Sequence, residues 1–495
     1  MKKLGRLLTA IITEEILEAD GASADVVIEG LTADSRTVVP GGMFVAVRGT
    51  AVDGHDYIPK ALAAGAVAVV CETIPANHPG DVVWIRVADS SVALGLLASA
   101  WFDNPSRHLT LVGVTGTNGK TTIATLLWEA AHALGHRAGL LSTVCNYVDN
   151  ERIPSTHTTP DPMETNELLR RMVDAGCTFA AMEVSSHGMA QNRTAGLHFA
   201  GGIFTNITRD HLDYHKTFRE YLRAKQRFFD LLPKTAWALT NIDDPNGTVM
   251  TQNTMAAVKT YSLTRTAADF TARIIESHLG STEMAIAPGV TADITTRFTG
   301  RFNAYNLLAV YAALALLGTP YGEAARVISA LVPVAGRFET FHDASGKVSV
   351  IVDYAHTPDA ITNVLEAVRA VEPRAHVTTV FGAGGNRDHG KRPLMGAAAA
   401  AASDRIIITS DNPRDEDPKA IADAVAAGVP VDSPCEVAII LDRIEAINKA
   451  VAEAIPGDVV VVAGKGHEDY QVLAGGRRIH LDDREIVRGA LAAKG

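Results

Sequence analysis

The chain is poor in cysteine and in long apolar runs, and it lacks any basic tract. Only four cysteines, Cys71, Cys145, Cys177 and Cys435, occur among 495 residues, and none stands in a CxxC pair. That spacing excludes a disulfide framework and a thiolate zinc site and points to a reducing compartment, the cytoplasm. No run of about 18 apolar residues exists, so no segment is expected to span a membrane. Acidic residues (56) outnumber basic ones (45), giving a formal net charge of -11. With no basic run to track a phosphate backbone, nucleic acid is not an expected partner. The opening "MKKLGRLLTAIITEEILEAD" has its apolar segment cut by Thr13, Glu14 and Glu15 and no small-residue cleavage site; it reads as an amphipathic first helix rather than a leader.

What is present is the alternation of an α/β protein. At about 150 residues per domain the length suggests about three domains. From about Val26 to Val87, short β-like runs ("GGMFVAVRG", "AVAVVCE") surround a helical "IPKALAAGA", and "SSVALGLLASAWFDNPSR" reads as a linking helix that stops at Asn104, before Pro105. From "LTLVGV" onward, apolar strands ("RAGLLSTV", "TFAAMEV", "GGIFTNI", "WALTNI") alternate with helical segments, which predicts a parallel sheet covered on both faces. After the "LVPVAGRFE" turn a third unit repeats the pattern. The expected boundaries are 1–104, 105–334 and 335–495. In such sheets ligands gather at the carboxyl ends of the strands, where the polar turns of this sequence lie.

The most specific of these turns is "GVTGTNGKTT". It matches the tail of G-x-x-x-x-G-K-[ST], with Gly113 taken as the first glycine and Gly119, Lys120 and Thr121 as the last residues. Backbone N–H groups of such a loop cup phosphates, the Lys is a point charge on the outer phosphates, and the Thr hydroxyl ligates Mg²⁺. Glu183, at the end of "FAAMEV", is either a cation-binding or water-positioning carboxylate or a solvated loop Glu. "NITRDHLDYH" crowds Asp210, His211, Asp213 and His215 together, as metal-directed side chains or as ordinary loop residues. Lys225, between two arginines in "YLRAKQRFFDLL", reads from the residues alone as a surface lysine of an amphipathic helix. Likewise Ser35 in "TADSRTV", the Asp-Asn-Pro of "TSDNPRDEDP", and Asp353, Tyr354 and His356 in "DYAHTPDA" read alone as turn residues.

Taken together, "GVTGTNGKTT", "EVSSHG", "NITRDHLDYH", "YLRAKQRFF", "GRFNAYN", "DYAHTPDA", "GAGGNRDHGKRP", "DNPR" and "AGKGHEDYQ" resemble the Mur ligase family, from about Thr32 to Glu485. The resemblance implies a small N-terminal UDP-binding α/β module, a central P-loop parallel-sheet ATPase domain and a C-terminal Rossmann-like α/β domain. It implies an ATP-dependent amide ligase of peptidoglycan precursor synthesis, working through an acyl phosphate and acting alone as a monomer on small molecules. ATP would contact Gly116, Thr117, Asn118, Gly119, Lys120, Thr121 and Thr122, with Asn303, Asn306 and Arg337 near the adenosine. One Mg²⁺ would be held by Thr121 and Glu183, a second by His211 and by Lys225 as a CO₂-derived carbamate, which overturns the surface reading of that lysine. Ser35, Thr50, Ala51 and Val52 match contacts to the uridine diphosphate. His157, Thr158, Thr159, Ser185, Gln191 and Arg193 match contacts to the muramoyl dipeptide of UDP-MurNAc-L-Ala-D-Glu, and His157 stands where some members have Asn.

Asp411, Asn412, Pro413 and Arg414 form the DNPR that, in the family, marks addition of meso-diaminopimelate. Lysine lacks the second carboxylate that a planar guanidinium holds by two parallel hydrogen bonds. Arg387 matches another contact to that carboxylate, and Gly464 and Glu468 match the ammonium end. A lysine-adding member shares the mechanism but lacks the Arg. A folylpolyglutamate synthase shares the amide chemistry, yet the UDP-binding resemblance and DNPR do not fit it. A nucleotide-switched binding protein would need none of the three sets of substrate contacts.

Overall fold

The computed structural model describes residues 1–17, 23–50, 52–289 and 293–494. Three sheets organise them. The first has five strands in the order Glu15–Leu17, Val83–Arg86, Ala68–Cys71, Met43–Val45 and Leu31–Thr32, all parallel except the first. The expected amphipathic first helix is only Leu4–Leu8. The β-branched residues after it leave the helix, and Glu15–Leu17 pairs with Val83–Arg86 instead, because edge pairing satisfies backbone groups that a lone helix turn would expose. Helix Ser90–Trp101, capped by the Asp89 carboxylate on the N–H groups of Ser91 and Val92, leads out of this unit. It ends three residues short of Asn104, which adopts a left-handed conformation before Pro105.

The central sheet has eleven strands. Its middle is parallel: Ala138–Leu141, Phe179–Glu183, Thr110–Thr115, Gly201–Phe204, Trp237–Asn241 and Ala257–Ser262 lie side by side in that order. Both faces are covered, so these strands are apolar throughout rather than alternating. The sheet continues beyond the expected parallel part. Antiparallel strands Cys145–Val148 and Glu151–Pro154 extend one edge; on the other, Phe270–His278 joins in parallel to Ala257–Ser262, and Ser281–Ala287 and Ile294–Thr296 follow antiparallel. The alternating "STEMAIA" beside the turn at Gly280 carried that signal.

The third sheet has six strands in the order Glu339–His342, Ser349–Asp353, Val459–Ala463, Val377–Phe381, Arg405–Ile408 and Glu436–Ile439, parallel but for the first pair. Its last strand in sequence, Val459–Ala463, inserts between the first two parallel strands. That reversal opens a crevice at the carboxyl edge, where the DNPR and GKGHED turns emerge. Among the described residues no helix is long and apolar enough to cross a membrane.

Candidate active site

The strand Thr110–Thr115 delivers the chain to the P-loop, and helix Lys120–Ala133 leaves it. Two glycines make the turn possible. Gly116 has φ +151 and a Cβ there would lie 1.8 Å from Thr205 Oγ1; Gly119 has φ +88 and would meet Asn306 Oδ1 at 2.7 Å. Gly113, by contrast, stands six residues before Gly119, one too many for the pattern. It lies inside the strand, where a Cβ would strike the Phe228 ring at 2.5 Å, so it serves packing rather than phosphate binding. The Lys120 ammonium folds back on the loop, donating to the carbonyls of Gly116 (3.0 Å) and Thr117 (2.8 Å). The Asn118 N–H donates to Asn206 Oδ1 on the next strand's loop (2.9 Å), and Thr122 is buried at the helix start. Asn303 is turned inward, its amide donating to Thr299 O (2.9 Å), and Asn306 donates to Asn303 (3.2 Å) while packing against Gly119.

Lys225 is the principal correction to the reading from residues. Helix Phe218–Asp230 aims it under the P-loop; it is 1% exposed and donates to Gly116 O at 2.6 Å, with its Nζ 4.8 Å from the Tyr221 ring centroid. Burial and the neighbouring Lys120 hold this amine well below its ordinary pKa, against a smaller opposing pull from Asp210. Glu183 is no solvated loop residue either, being fully buried. Thr143 N–H donates to its Oε1 at 2.8 Å, while the buried Oε2 has no protein partner. A buried carboxylate oxygen left over in this way suits a cation. Burial also lowers Lys120, opposed by Glu183 and Asp210. His211, at φ +54, is held down at about 4 by burial, opposed by Asp210 and reinforced by His187, Lys120 and Lys225, so its ring is neutral and able to ligate. Thr121 Oγ1 accepts from Arg337 at 3.1 Å, which brings the start of the third unit onto the P-loop. These groups, an orphaned carboxylate oxygen, a hydroxyl, a neutral imidazole and an amine whose protonated form burial disfavours, fit Mg²⁺ and a carbamate. Among the described residues no three His, Cys, Asp or Glu come together as a cage. Mg²⁺ commonly takes few protein ligands and completes its shell with phosphate and water.

Lys120, His211 and Lys225 open into a cleft of about 210 Å³ that also collects His157, Thr158, Thr159, Ser185, Gln191 and Arg193. Its polar groups are organised by the backbone. Thr159 Oγ1 donates to Glu183 O (2.9 Å), Thr143 Oγ1 donates to Thr158 Oγ1 (2.9 Å), and Ser185 caps a short helix through Gly188 N–H. Arg193 donates to Thr159 O (2.7 Å) and to Gln191 Oε1 (2.7 and 3.0 Å), and burial lowers its pKa.

A second cleft, of about 760 Å³, lies between the central and third units and gathers Arg387, Asp411, Asn412, Arg414, Gly464 and Glu468. Its wall includes His187 and His211, which also line the first cleft. Arg414, at φ +53, donates to Gly385 O at 2.7 Å; burial and the positive Arg387 nearby lower its pKa. Two guanidiniums facing one cavity call for an anion. Across the floor Asn412 donates to Glu468 (2.9 Å), and the fully buried Lys465 donates to both Glu468 (3.1 Å) and Asn412 Oδ1 (3.3 Å). Pro413 is not among the residues lining this cleft, and its carbonyl lies against Gly385.

Tyr354 and His356, read alone as turn residues, line this cleft, and Arg337 lies 4.6 Å over the Tyr354 ring. Asp353 is buried, accepts from Phe338 N–H (2.7 Å), and burial pushes it up to about 6. The sequence reading missed His187, Asp359 and Lys391. His187 lies inside "EVSSHG" and packs edge-on against His211 and at a tilt against Tyr214 and His215. Asp359 begins a helix of the third unit yet accepts from Asn118 (2.9 Å) and Thr208 (3.0 Å) of the central one. The structure does not bring Ser35, Thr50 and Val52 to either cleft. They sit on the first unit, with Ser35 buried and Val52 exposed. Ala51 lies outside the described residues, as does the side chain of Asp213.

Comparison with known proteins gives three family-model matches. They are "Mur ligase family, catalytic domain" over residues 27–102, "Mur ligase middle domain" over 114–314, and "Mur ligase, glutamate ligase domain" over 336–466. A curated UDP-N-acetylmuramoyl-L-alanyl-D-glutamate--2,6-diaminopimelate ligase from Parabacteroides distasonis is 53% identical over 487 residues, 98% of each chain. An enzyme of the same name from Bacteroides fragilis is 52% identical over 487 residues, again 98% of each. A solved structure of a ligase of that name is similar over 99% of both chains, with 32% identity and a TM-score of 0.71.

Proposed function

The chain belongs to the Mur ligase family, and from that premise we propose that it is an ATP-dependent ligase. It joins meso-2,6-diaminopimelate to the D-Glu γ-carboxylate of UDP-MurNAc-L-Ala-D-Glu, in peptidoglycan precursor synthesis. The observation that carries the reading is the shared wall. The cleft containing the P-loop lysine and the cleft containing two facing guanidiniums meet at His187 and His211, so an activated carboxylate in one is within reach of an amine in the other.

The chemistry proceeds in two displacements. The D-Glu carboxylate oxygen attacks the γ-phosphorus and ADP leaves; the amine of diaminopimelate then attacks the acyl carbon, phosphate leaves and the amide remains. Lys120 and Arg337 offset charge on the transferring phosphoryl group, and the N-terminus of helix Lys120–Ala133 receives the phosphates, with Thr122 in its first turn. Arg193 and the hydroxyls of Thr158, Thr159 and Ser185 orient the dipeptide. In the larger cleft Arg414 and Arg387 take the distal carboxylate, while Glu468 and Asp411 accept from the distal ammonium. Thr121 and Glu183 would hold one Mg²⁺, and His211 with Lys225 as its carbamate a second; when bound, the metal would supply further charge neutralisation. Carbamylation suits Lys225, because the neutral amine is the form that adds CO₂, releasing a proton, and the resulting anion lies beside Lys120.

Ser35, Thr50, Ala51 and Val52 on the first unit would receive the uridine diphosphate. Domain boundaries at 104/105 and 334/335 follow the breaks between sheets. The enzyme is read as a monomer, and the four free, buried cysteines accord with the reducing cytoplasm. The test is to incubate the protein with ATP, Mg²⁺ and UDP-MurNAc-L-Ala-D-Glu plus either meso-diaminopimelate or L-lysine, and to weigh the nucleotide product. A mass gain with diaminopimelate alone is expected. A gain with lysine instead would overturn the selectivity, and no gain with either would overturn the ligase reading.

A further inference from the structure

Behind the larger cleft lies a buried ion pair that the reaction above does not use. Arg443 and Asp483 are both 0% exposed in their side chains and meet as a fork, Nε to Oδ1 and Nη2 to Oδ2, each at 2.7 Å. Arg443 opens helix Arg443–Glu453 and Asp483 opens helix Asp483–Lys494, so the pair ties two helix starts together.

A staple between helices would be the simplest account, but two observations exceed it. First, a cation at a helix N-terminus opposes the helix dipole, and a dry ion pair recovers little more than its desolvation cost. Helix packing alone would be served as well by apolar side chains. Second, the guanidinium has donors left over, and they go to the two strand ends that build the amino-acid cleft. Nη2 donates to Ala463 O at 3.0 Å, and Nη1 reaches Ser410 O at 3.5 Å. Ala463 immediately precedes Gly464, and Ser410 immediately precedes Asp411.

The turns that follow those two ends approach each other closely. Gly464 has φ +119, and a Cβ there would lie 2.8 Å from Asp411 Oδ2 and 3.9 Å from Arg443 Nη2. From them the network continues through Gln471, which donates to Asp411 O at 2.6 Å, and Asn412, which donates to Glu468. The charges are linked as well. Burial works against the proton on Arg443, but Asp483 first, then Asp411 and Glu468, more than offset it.

We infer that Arg443, locked in place by Asp483, is a positioning residue for the amino-acid cleft, fixing the strand ends that present Asp411, Gly464 and Glu468 to the incoming amino acid. The inference rests on the ligase reading above. Lysine in place of Arg443 keeps the charge but cannot reach Asp483 and both carbonyls at once.

The experiment compares wild type, Arg443→Lys and the volume-matched pair Arg443→Met with Asp483→Leu in the full chain. It measures kcat, the KM of each substrate and the thermal midpoint. Arg443→Lys is expected to raise the KM for diaminopimelate by about tenfold and the double variant by about a hundredfold, while the KM values for ATP and the UDP-linked dipeptide stay within about twofold. The double variant is expected to keep its thermal midpoint. An unchanged KM for diaminopimelate in a folded double variant overturns the inference. So does a loss spread equally over all three substrates, which would mark a staple and nothing more. Wild-type protein that forms no amide would sink the ligase reading first, and is told apart because it fails before any substitution.

Discussion

Burial and the neighbouring Lys120 disfavour the protonated form of Lys225, and its hydrogen bond to Gly116 O ties it to the P-loop. Lys225→Ala is therefore expected to lower kcat by about a hundredfold or more, with partial recovery on adding a short carboxylic acid that fills the vacated space. Full activity without any additive would refute the carbamate role. Arg414 makes a different prediction, since its partner is the distal carboxylate of the amino acid. Arg414→Ala should raise the KM for diaminopimelate by about a hundredfold or more and leave that for ATP unchanged; an unmoved KM would detach the DNPR turn from selectivity. At this scale the residue types were legible in the sequence while their environments were not. An amphipathic pattern marks Lys225 as surface, because periodicity reports a helix face and cannot report that a P-loop from another strand covers it.

Among the elements, helix Lys120–Ala133 carries both the phosphate-binding end and a strained acid. Glu129, further along the same helix, has its pKa raised by burial to about 7 from an ordinary 4.5. Its proton is thus held more tightly in the folded state. That contribution to stability is complete below about pH 4.5 and is lost as the pH rises through about 7. Glu129→Gln should accordingly unfold at a higher temperature than wild type at pH 8 and at nearly the same temperature at pH 4. A difference that does not depend on pH would exclude Glu129 as its source. The parallel strands were legible as apolar runs followed by polar turns. The antiparallel extensions were not, because an edge strand such as Glu151–Pro154 differs from a loop only by the partner it finds.

For the whole molecule, closure depends on contacts that cross between units. Asp359 bridges the third unit to Asn118 and Thr208, and Arg337 reaches Thr121. Asp359→Ala should loosen that approach, seen as a larger radius of gyration by small-angle scattering and a raised KM for ATP; unchanged scattering would show that other contacts hold the units together. The sequence by itself determined the three α/β units, the P-loop and the family, because these follow from local pattern and from residues adjacent in the chain. It also nominated side chains for each substrate set, through the family resemblance. Only the tertiary structure decided that Lys225 and Glu183 are buried, that His187 and Asp359 belong at the junction, and that two clefts share a wall. Those facts depend on which distant strand ends meet, and on what their meeting excludes from water.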